Sequence, residues 1–343
     1  MGPGAVSPGA AGRSTPQRHG DPGRADDPRL WAVLVTYRRP EDLRQHLEVI
    51  ADQTRPPDHL VLVDNAPSTT SEELLDRYRG RGLRATYLPS TENLGAAGGI
   101  VARARDEDWV VLLDDDNPPR REDLLERLLT VALTARRGDP TVAGTGLTGA
   151  RFDWRRARLV RFGDEELAGT LSVDYVGGGQ FATLQVGALR QVGTFRAELF
   201  WGLDDLEFGL RARRAGYRLV VSSELLRWAR AHHGRLGRPR PSASAQARLV
   251  PWRRYYTLRN LVFVLRWHGR HLTAARVALV RGLGKAAAIS LRHPGRAGIE
   301  LGIAWWAVRD GWTGRLGRRM EPGATRVRPG RAGLAAGAGE RAT

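Results

Sequence analysis

The chain has 343 residues, enough for one large domain or two smaller ones with a real core, and its 41% hydrophobic content excludes wholesale disorder. It has no cysteine, which excludes disulfides, thiolate metal sites and cysteine nucleophiles together. The net charge of +17 is unevenly placed: residues 226–343 carry 24 Arg/Lys against 4 Asp/Glu, which leaves about −3 for the first 225 and calls for an anionic partner at the basic end.

Residues 1–28 are rich in Gly, Pro, Ala and Arg without periodicity and read as a disordered lead-in that lacks the apolar core of a signal peptide. The tail, 321–343, reads the same way. No uninterrupted apolar run reaches the roughly 20 residues that span a bilayer. The expectation is a cytoplasmic protein, peripheral on the inner face of the cell membrane.

Residues 29–225 alternate strands and helices. LWAVLVTY (30–37) is a short β-branched apolar run, read as a buried strand. Pro40 opens a helix with Leu43, Leu47 and Ile50 at helical spacing. HLVLVDN (59–65) is a second strand, SEELLDRYRG a second helix and ATYLPS a third strand. A glycine-rich turn, a helix near 96–106 and the strand DWVVLLDDD follow. This alternation predicts an α/β fold, a parallel sheet covered by helices, with ligands at the carboxyl ends of the strands. Thr36, Asp64 and Asp114 to Asp116 all fall at such ends and should converge on one crevice.

Three adjacent aspartates repel one another unless a cation is near. On an extended segment Asp114 and Asp116 point the same way and could share one divalent ion, with Asp115 turned into the protein. Oxygen ligands suit Mg²⁺ or Mn²⁺, ions that complete their shells with substrate phosphates. The plainer alternative is an acidic turn capping a helix that begins near Arg121. TENLGAAGGIVARAR (91–105) lets backbone approach a ligand at a helix N-terminus, though it is not a GxGxxG fingerprint. In FWGLDDLEFGLRARRAGYRL (200–219) aromatic residues precede paired acids at the start of an amphipathic helix. A carboxylate there either caps the helix or serves as a general base. RWARAHHGR (227–235) supplies His232 and His233, either of which could complete a metal site.

Residues 226–320 read as helical, rich in Arg and Trp. Near 271–293, Leu272, Leu279, Val280 and Leu283 share one face, while Arg270, Arg281, Lys285 and Arg292 gather opposite. Two readings stay open: a helix lying in a membrane interface, or one packed on its own domain with a solvated basic face.

The segments VLVTYRRP, LVLVDNAPS, TENLGAAGG, DWVVLLDDDNPP, FWGLDDLEFGLRARRAGY, the HH pair and YYTLRN (255–260), in that order, resemble the family 2 glycosyltransferases. The resemblance covers about 30–265, is closest to bacterial rhamnosyltransferases and galactofuranosyltransferases, and extends loosely to GWTGRLG (311–317). It implies a GT-A fold, a Rossmann-like nucleotide half joined to an acceptor half, with a helical basic extension. On the nucleotide-sugar side it implies Thr36, Arg39, Asp64, Asn93, Gly95, Asp114 and Asp115. For metal it implies Asp114, Asp116 and His232, in preference to His233. Asp205 is implied as catalytic base, and Trp201, Asp204 and Glu207 as acceptor-binding.

The expected reaction moves a sugar, rhamnose or galactofuranose, from a UDP- or dTDP-sugar to a glycan or lipid-linked acceptor in envelope polysaccharide synthesis. Mn²⁺ or Mg²⁺ would steady the departing diphosphate, and one base opposite the leaving group gives inversion. An anionic membrane surface is the expected partner of the basic end, at about 1 kcal/mol per arginine near the surface. Nucleic acid is the competing partner, suggested by Trp and Tyr among arginines at 252–267. No recognition motif accompanies them, and none is expected to bind. A catalytically silent scaffold is opposed by the presence of Asp114, Asp116 and Asp205.

Overall fold

The computed structural model of the chain describes residues 27–90, 103–233, 250–325 and 327. Its strands are β1 (Leu30–Thr36), β2 (His59–Asp64), β3 (Ala85–Pro89), β4 (Trp109–Asp114), β5 (Val142–Thr145), the hairpin β6–β7 (Arg151–Asp153 and Arg158–Val160), β8 (Thr170–Val173), β9 (Thr183–Gln185) and β10 (Arg218–Ser222). Eight of them form one sheet in the order β3-β2-β1-β4-β9-β5-β10-β8, and β6–β7 stands apart.

The first four strands are parallel, as the alternation predicts. β9 then runs antiparallel to both β4 and β5, and β8 antiparallel to β10, so the sheet is mostly rather than wholly parallel. The strand order reverses between β1 and β4. In open sheets of this kind a ligand crevice forms at the carboxyl ends beside such a reversal. Thr36 pairs in register with Asp64, and Val35 with Asp114, which brings three expected site positions to one edge.

Burial explains the strands. Along β1, Leu30, Ala32 and Leu34 enter one apolar cluster while Trp31 and Val33 enter the cluster on the other face. Helix α1 (Pro40–Ala51) starts on its proline and buries Leu43, His46, Leu47 and Ile50. Helix α2 (Thr69–Gly80) is capped by Ser68, whose hydroxyl accepts from Ser71 N at 3.2 Å. Part of the expected helix at 96–106 lies outside the described residues, and 103–108 form turns instead. Then follow α3 (Leu124–Gly138), α4 (Val186–Val192), α5 (Asp204–Arg214) and α6 (Ser223–His232). Leu225 and Ala229 of α6 belong to the core of the sheet, so the expected border at 225/226 falls inside a helix of the first domain. The change in composition there marks the surface, not the packing.

The C-terminal helices are α7 (Pro251–Trp267), α8 (His271–Arg276), a π-helical stretch Val277–Gly284 that runs on into α9 (Lys285–Arg292), and α10 (Ala297–Thr313). Helix α7 is buried against both halves: Leu261 to Leu265 meet Leu199, Leu206 and Leu210, and Tyr255 and Tyr256 meet α10. Ala324 and Val327 pack on that second cluster, so the tail expected to loosen at Glu321 is held further.

The helix over 271–292 faces the opposite way from a packed amphipathic helix. Ala274, Val277, Ala278, Gly282 and Ala286 are buried. Leu272 is 89% exposed, Leu279 63%, Val280 60% and Leu283 40%. The small side chains allow close approach: a Cβ at Gly282 would stand 3.2 Å from Leu258 and Val308. The basic face is broken too, because the Arg281 guanidinium donates to the carbonyls of Ala157 at 2.8 Å and Arg156 at 2.6 Å. Among the described residues no helix is long and apolar enough to cross a membrane.

Candidate active site at the carboxyl ends of the strands

β4 ends at Asp114 and the chain then turns through Asp115 and Asp116, with Asn117 N donating to Asp114 O at 3.1 Å, in place of the extended segment expected. Asp115 turns inward, 8% exposed, and accepts from Thr36 Oγ1 at 2.9 Å, Tyr37 N at 3.2 Å and the Arg39 guanidinium at 3.3 Å. Thr36 and Asp115, both expected on the nucleotide side, are therefore spent on each other. They tie the end of β4 to the β1–α1 turn, where Arg38 is held at φ 55°. Arg39 also pairs with Asp116 at 2.9 Å. Beneath this turn His46 is fully buried, with neither ring nitrogen hydrogen-bonded among the described residues, and burial lowers its pKa to about 4.

Asp114 differs. Its side chain is exposed at the strand end and takes no ion pair or hydrogen bond among the described residues. Withdrawal of solvent by the surrounding protein raises its pKa first, and the negative charges of Asp116, Asp115 and Asp204 raise it further. A carboxylate crowded by like charge, with no cation partner among the described residues, is a hard-oxygen donor suited to a divalent ion. Asp114 and Asp116 are the residues that would hold one.

The far wall is the segment Gly177–Gly179, in VGGGQ. A Cβ at Gly179 would lie 3.2 Å from Asp114 Oδ2, and one at Gly177 would lie 3.4 Å from Asp205 Oδ2. Asp114 and Asp205 thus border the same short strip of backbone from its two ends. Asn117, just past the aspartates, fixes the strip by donating to Gly179 O at 2.6 Å. Asp205 Oδ1 accepts from Leu206 N at 2.8 Å, and Tyr175 donates its hydroxyl to the same carboxylate. Burial raises the pKa of Tyr175 and the Asp205 charge adds to it, so the phenol stays a donor. Asp204 is also raised, by burial before all else, against hydrogen bonds from its own and Asp205's N–H groups.

Of the other expected residues, Asp64 stays at the strand edge beside Thr36. Asp64 is 1% exposed and accepts from Ala66 N at 2.9 Å and the Tyr87 hydroxyl at 3.0 Å. Glu207, expected on the acceptor side, does not face the crevice. It is fully buried between Arg196 at 3.1 Å and Arg211 at 3.0 Å, one helical turn of α5 further into the protein. Trp201 meets Trp252 edge-on, ring centres 5.2 Å apart. His232 does not join the aspartates: its ring stacks on Trp228 at 5.3 Å, and among the described residues no three His, Asp or Glu side chains are grouped to hold a metal. The stacking surface of α6 decides where the imidazole goes. Asn93 and Gly95 lie outside the described residues.

Tyr175, Asn117 and the glycines are the site residues that motif reading passed over. Their signal was three successive glycines two residues beyond an Asp-Tyr pair, a run that only close backbone approach calls for.

The open sheet reverses its strand order beside these carboxylates, and the helix α5 starts on two more acids. Residues 31–193 match the family described as glycosyl transferase family 2. It is 34% identical over 204 residues to galactofuranosyltransferase GlfT1 of Mycobacterium tuberculosis, a match covering 54% of this chain and 65% of that one. To the protein of the same name from Mycolicibacterium smegmatis it is 41% identical over 110 residues, 31% of this chain and 35% of the relative. The chain thus spans less than two thirds of the length of these relatives. Among solved structures, the Pyrobaculum calidifontis mannosyltransferase PcManGT, in complex with GDP-Man and Mn²⁺, is 19% identical. That match covers 83% of this chain and 87% of the other at a TM-score of 0.46.

Proposed function

We propose that the chain transfers a sugar from a UDP- or dTDP-sugar to a hydroxyl of a glycan or lipid-linked acceptor, with inversion and in dependence on Mn²⁺ or Mg²⁺. The observation that carries this is the pair of carboxylates at the two ends of Gly177–Gly179: Asp114, with no cation partner among the described residues, and Asp205 with a tyrosine donor. Asp114 and Asp116 would hold the ion, which when bound supplies positive charge to the departing diphosphate. Asp205 takes the acceptor's proton as the hydroxyl attacks. Tyr175 orients that carboxylate and leaves one face open. Attack from the side opposite the leaving group, with no covalent enzyme intermediate, inverts the anomeric centre. The name shared by the relatives favours galactofuranose over rhamnose as the sugar.

The lipid-linked acceptor is supported by the outward leucines of 271–292, joined by Leu291 at 84% and Trp305 at 61% exposed. Apolar side chains turned to solvent beside Arg270, Arg276 and Arg292 suit the headgroup region of an anionic bilayer. On this reading the enzyme works at the inner face of a membrane.

A thermal-shift panel of UDP, dTDP, GDP and CMP with and without Mn²⁺ tests the donor class. A metal-dependent rise with UDP or dTDP alone is expected. A rise with none, or one indifferent to the metal, contradicts the reading.

A further inference from the structure

The loop that enters α5 turns in a way its own residues do not favour. Phe200, Gly202 and Leu203 have φ of 61°, 72° and 67°. Only glycine adopts such values without steric conflict, and Leu203, the residue that caps α5, makes no side-chain cap hydrogen bond. The result is that the carbonyls of Leu199, Trp201 and Gly202 all point at α7. They meet one side chain there. Asn260 Nδ2 shares its two hydrogens among Leu199 O at 3.0 Å, Trp201 O at 3.0 Å and Gly202 O at 2.8 Å.

The amide is itself held. Arg259 Nε donates to Asn260 Oδ1 at 2.8 Å, and the rest of that guanidinium donates to Leu199 O at 2.8 Å and Gly317 O at 2.7 Å. Both side chains are fully buried, and Arg259 lies over the Tyr256 ring at 4.7 Å. A packing role at such a position is served by leucine. Here every polar atom of the Asn260 amide is engaged, and its partners are the backbone just before Asp204 and Asp205. Removing the amide leaves the carbonyls of Trp201 and Gly202 short of this donor, while Leu199 O keeps the Arg259 guanidinium.

We propose that Asn260, oriented by Arg259, is a positioning residue for sugar transfer. It fixes the left-handed step at 200–203, and so sets the start of α5 from which Asp205 reaches Tyr175 and the Gly177 backbone. The proposal rests on the reading of Asp205 as base. It gives the C-terminal helices a part in catalysis although they touch no reacting atom.

The test uses the full chain and the variants Asn260→Ala, Asn260→Asp and Asn260→Ala/Leu203→Gly. Both single variants are expected to lower kcat between about ten- and a hundred-fold, the range for a small displacement of a catalytic group. KM for the sugar nucleotide should stay within about two-fold, with the metal-dependent thermal shift by nucleotide unchanged. Amide hydrogen exchange over 200–206 should accelerate. The double variant should recover part of kcat, since glycine takes the left-handed angle unaided. A kcat within about two-fold of wild type overturns the proposal, and so does a joint loss of nucleotide shift and rise in KM, which marks a general structural role. If Asn260→Ala does not fold, Arg259→Lys, which removes the Nε donor that orients the Asn260 amide, should lower kcat with KM unchanged; unaltered kcat there overturns it equally. A wild-type chain that releases nucleotide from no sugar nucleotide sinks the transferase reading instead, while the exchange measurement still decides whether Asn260 holds the loop.

Discussion

Asp108 and Asp114 open and close the same strand, and the protein treats them oppositely. Asp108 is fully buried and receives the backbone N–H groups of Arg29 and Arg105, both their guanidinium groups and the Trp31 indole. Burial alone would raise its pKa, yet those donors hold it at about 2, below the ordinary 3.8. A depressed acid stabilises the fold above its unfolded pKa and loses that contribution as pH falls through its folded one. Stability should therefore drop by about 2 kcal/mol between pH 4 and pH 2 on this account. Acid titration of Asp108→Asn by circular dichroism should lack that drop; an unchanged profile would remove Asp108 as its source. Asp114 is offered none of this. The sequence shows that three aspartates close an apolar run, but the strand stops at the first of them and the chain turns, so that Asp115 and Asp116 both meet Arg39. It does not show that Asp115 is absorbed by Thr36 and Arg39, or Glu207 by two arginines, because carboxylates a few positions apart read identically until burial separates them.

Whole elements were legible where their apolar runs are long. β1, β2 and β4, with α1 and α2, follow from alternation and helical spacing, and the parallel register follows from their order. β9 is only three residues, Thr183–Gln185, and reverses direction. Nothing so short carries a periodic signal, and the mixed half of the sheet stayed hidden with it. The same stretch of chain holds Gly177 and Gly179, which form the element between the two carboxylates. An added methyl at Gly177 would stand 2.6 Å from the Tyr175 hydroxyl, whereas one at Gly179 would stand 3.2 Å from Asp114 Oδ2. Gly177→Ala should lower kcat at least about ten-fold while leaving the metal-dependent nucleotide shift intact. Gly179→Ala should weaken the shift itself. Identical effects of the two would mean that the strip does not separate base from metal side.

At the scale of the molecule, the basic C-terminal surplus was visible at once, but its meaning lay in orientation. Spacing alone left the helix at 271–292 equally suited to a core or to an interface; the fold turns its leucines out and small residues in. Replacing Leu279 and Leu283 with Glu should release the protein from anionic vesicles in a sedimentation assay without changing its thermal midpoint by more than a degree or two, since neither leucine is buried. Retained binding would assign the apolar face to another partner. The claim beneath all of this is that one crevice divides its labour between a cation-holding carboxylate and a proton-accepting one. Asp114→Asn and Asp205→Asn, each measured for metal-dependent nucleotide binding and for sugar transfer, test it most directly. Asp114→Asn should lose both, while Asp205→Asn should bind nucleotide as the wild type does and transfer no sugar; transfer that survives in Asp205→Asn, or metal-dependent binding that survives in Asp114→Asn, contradicts the account.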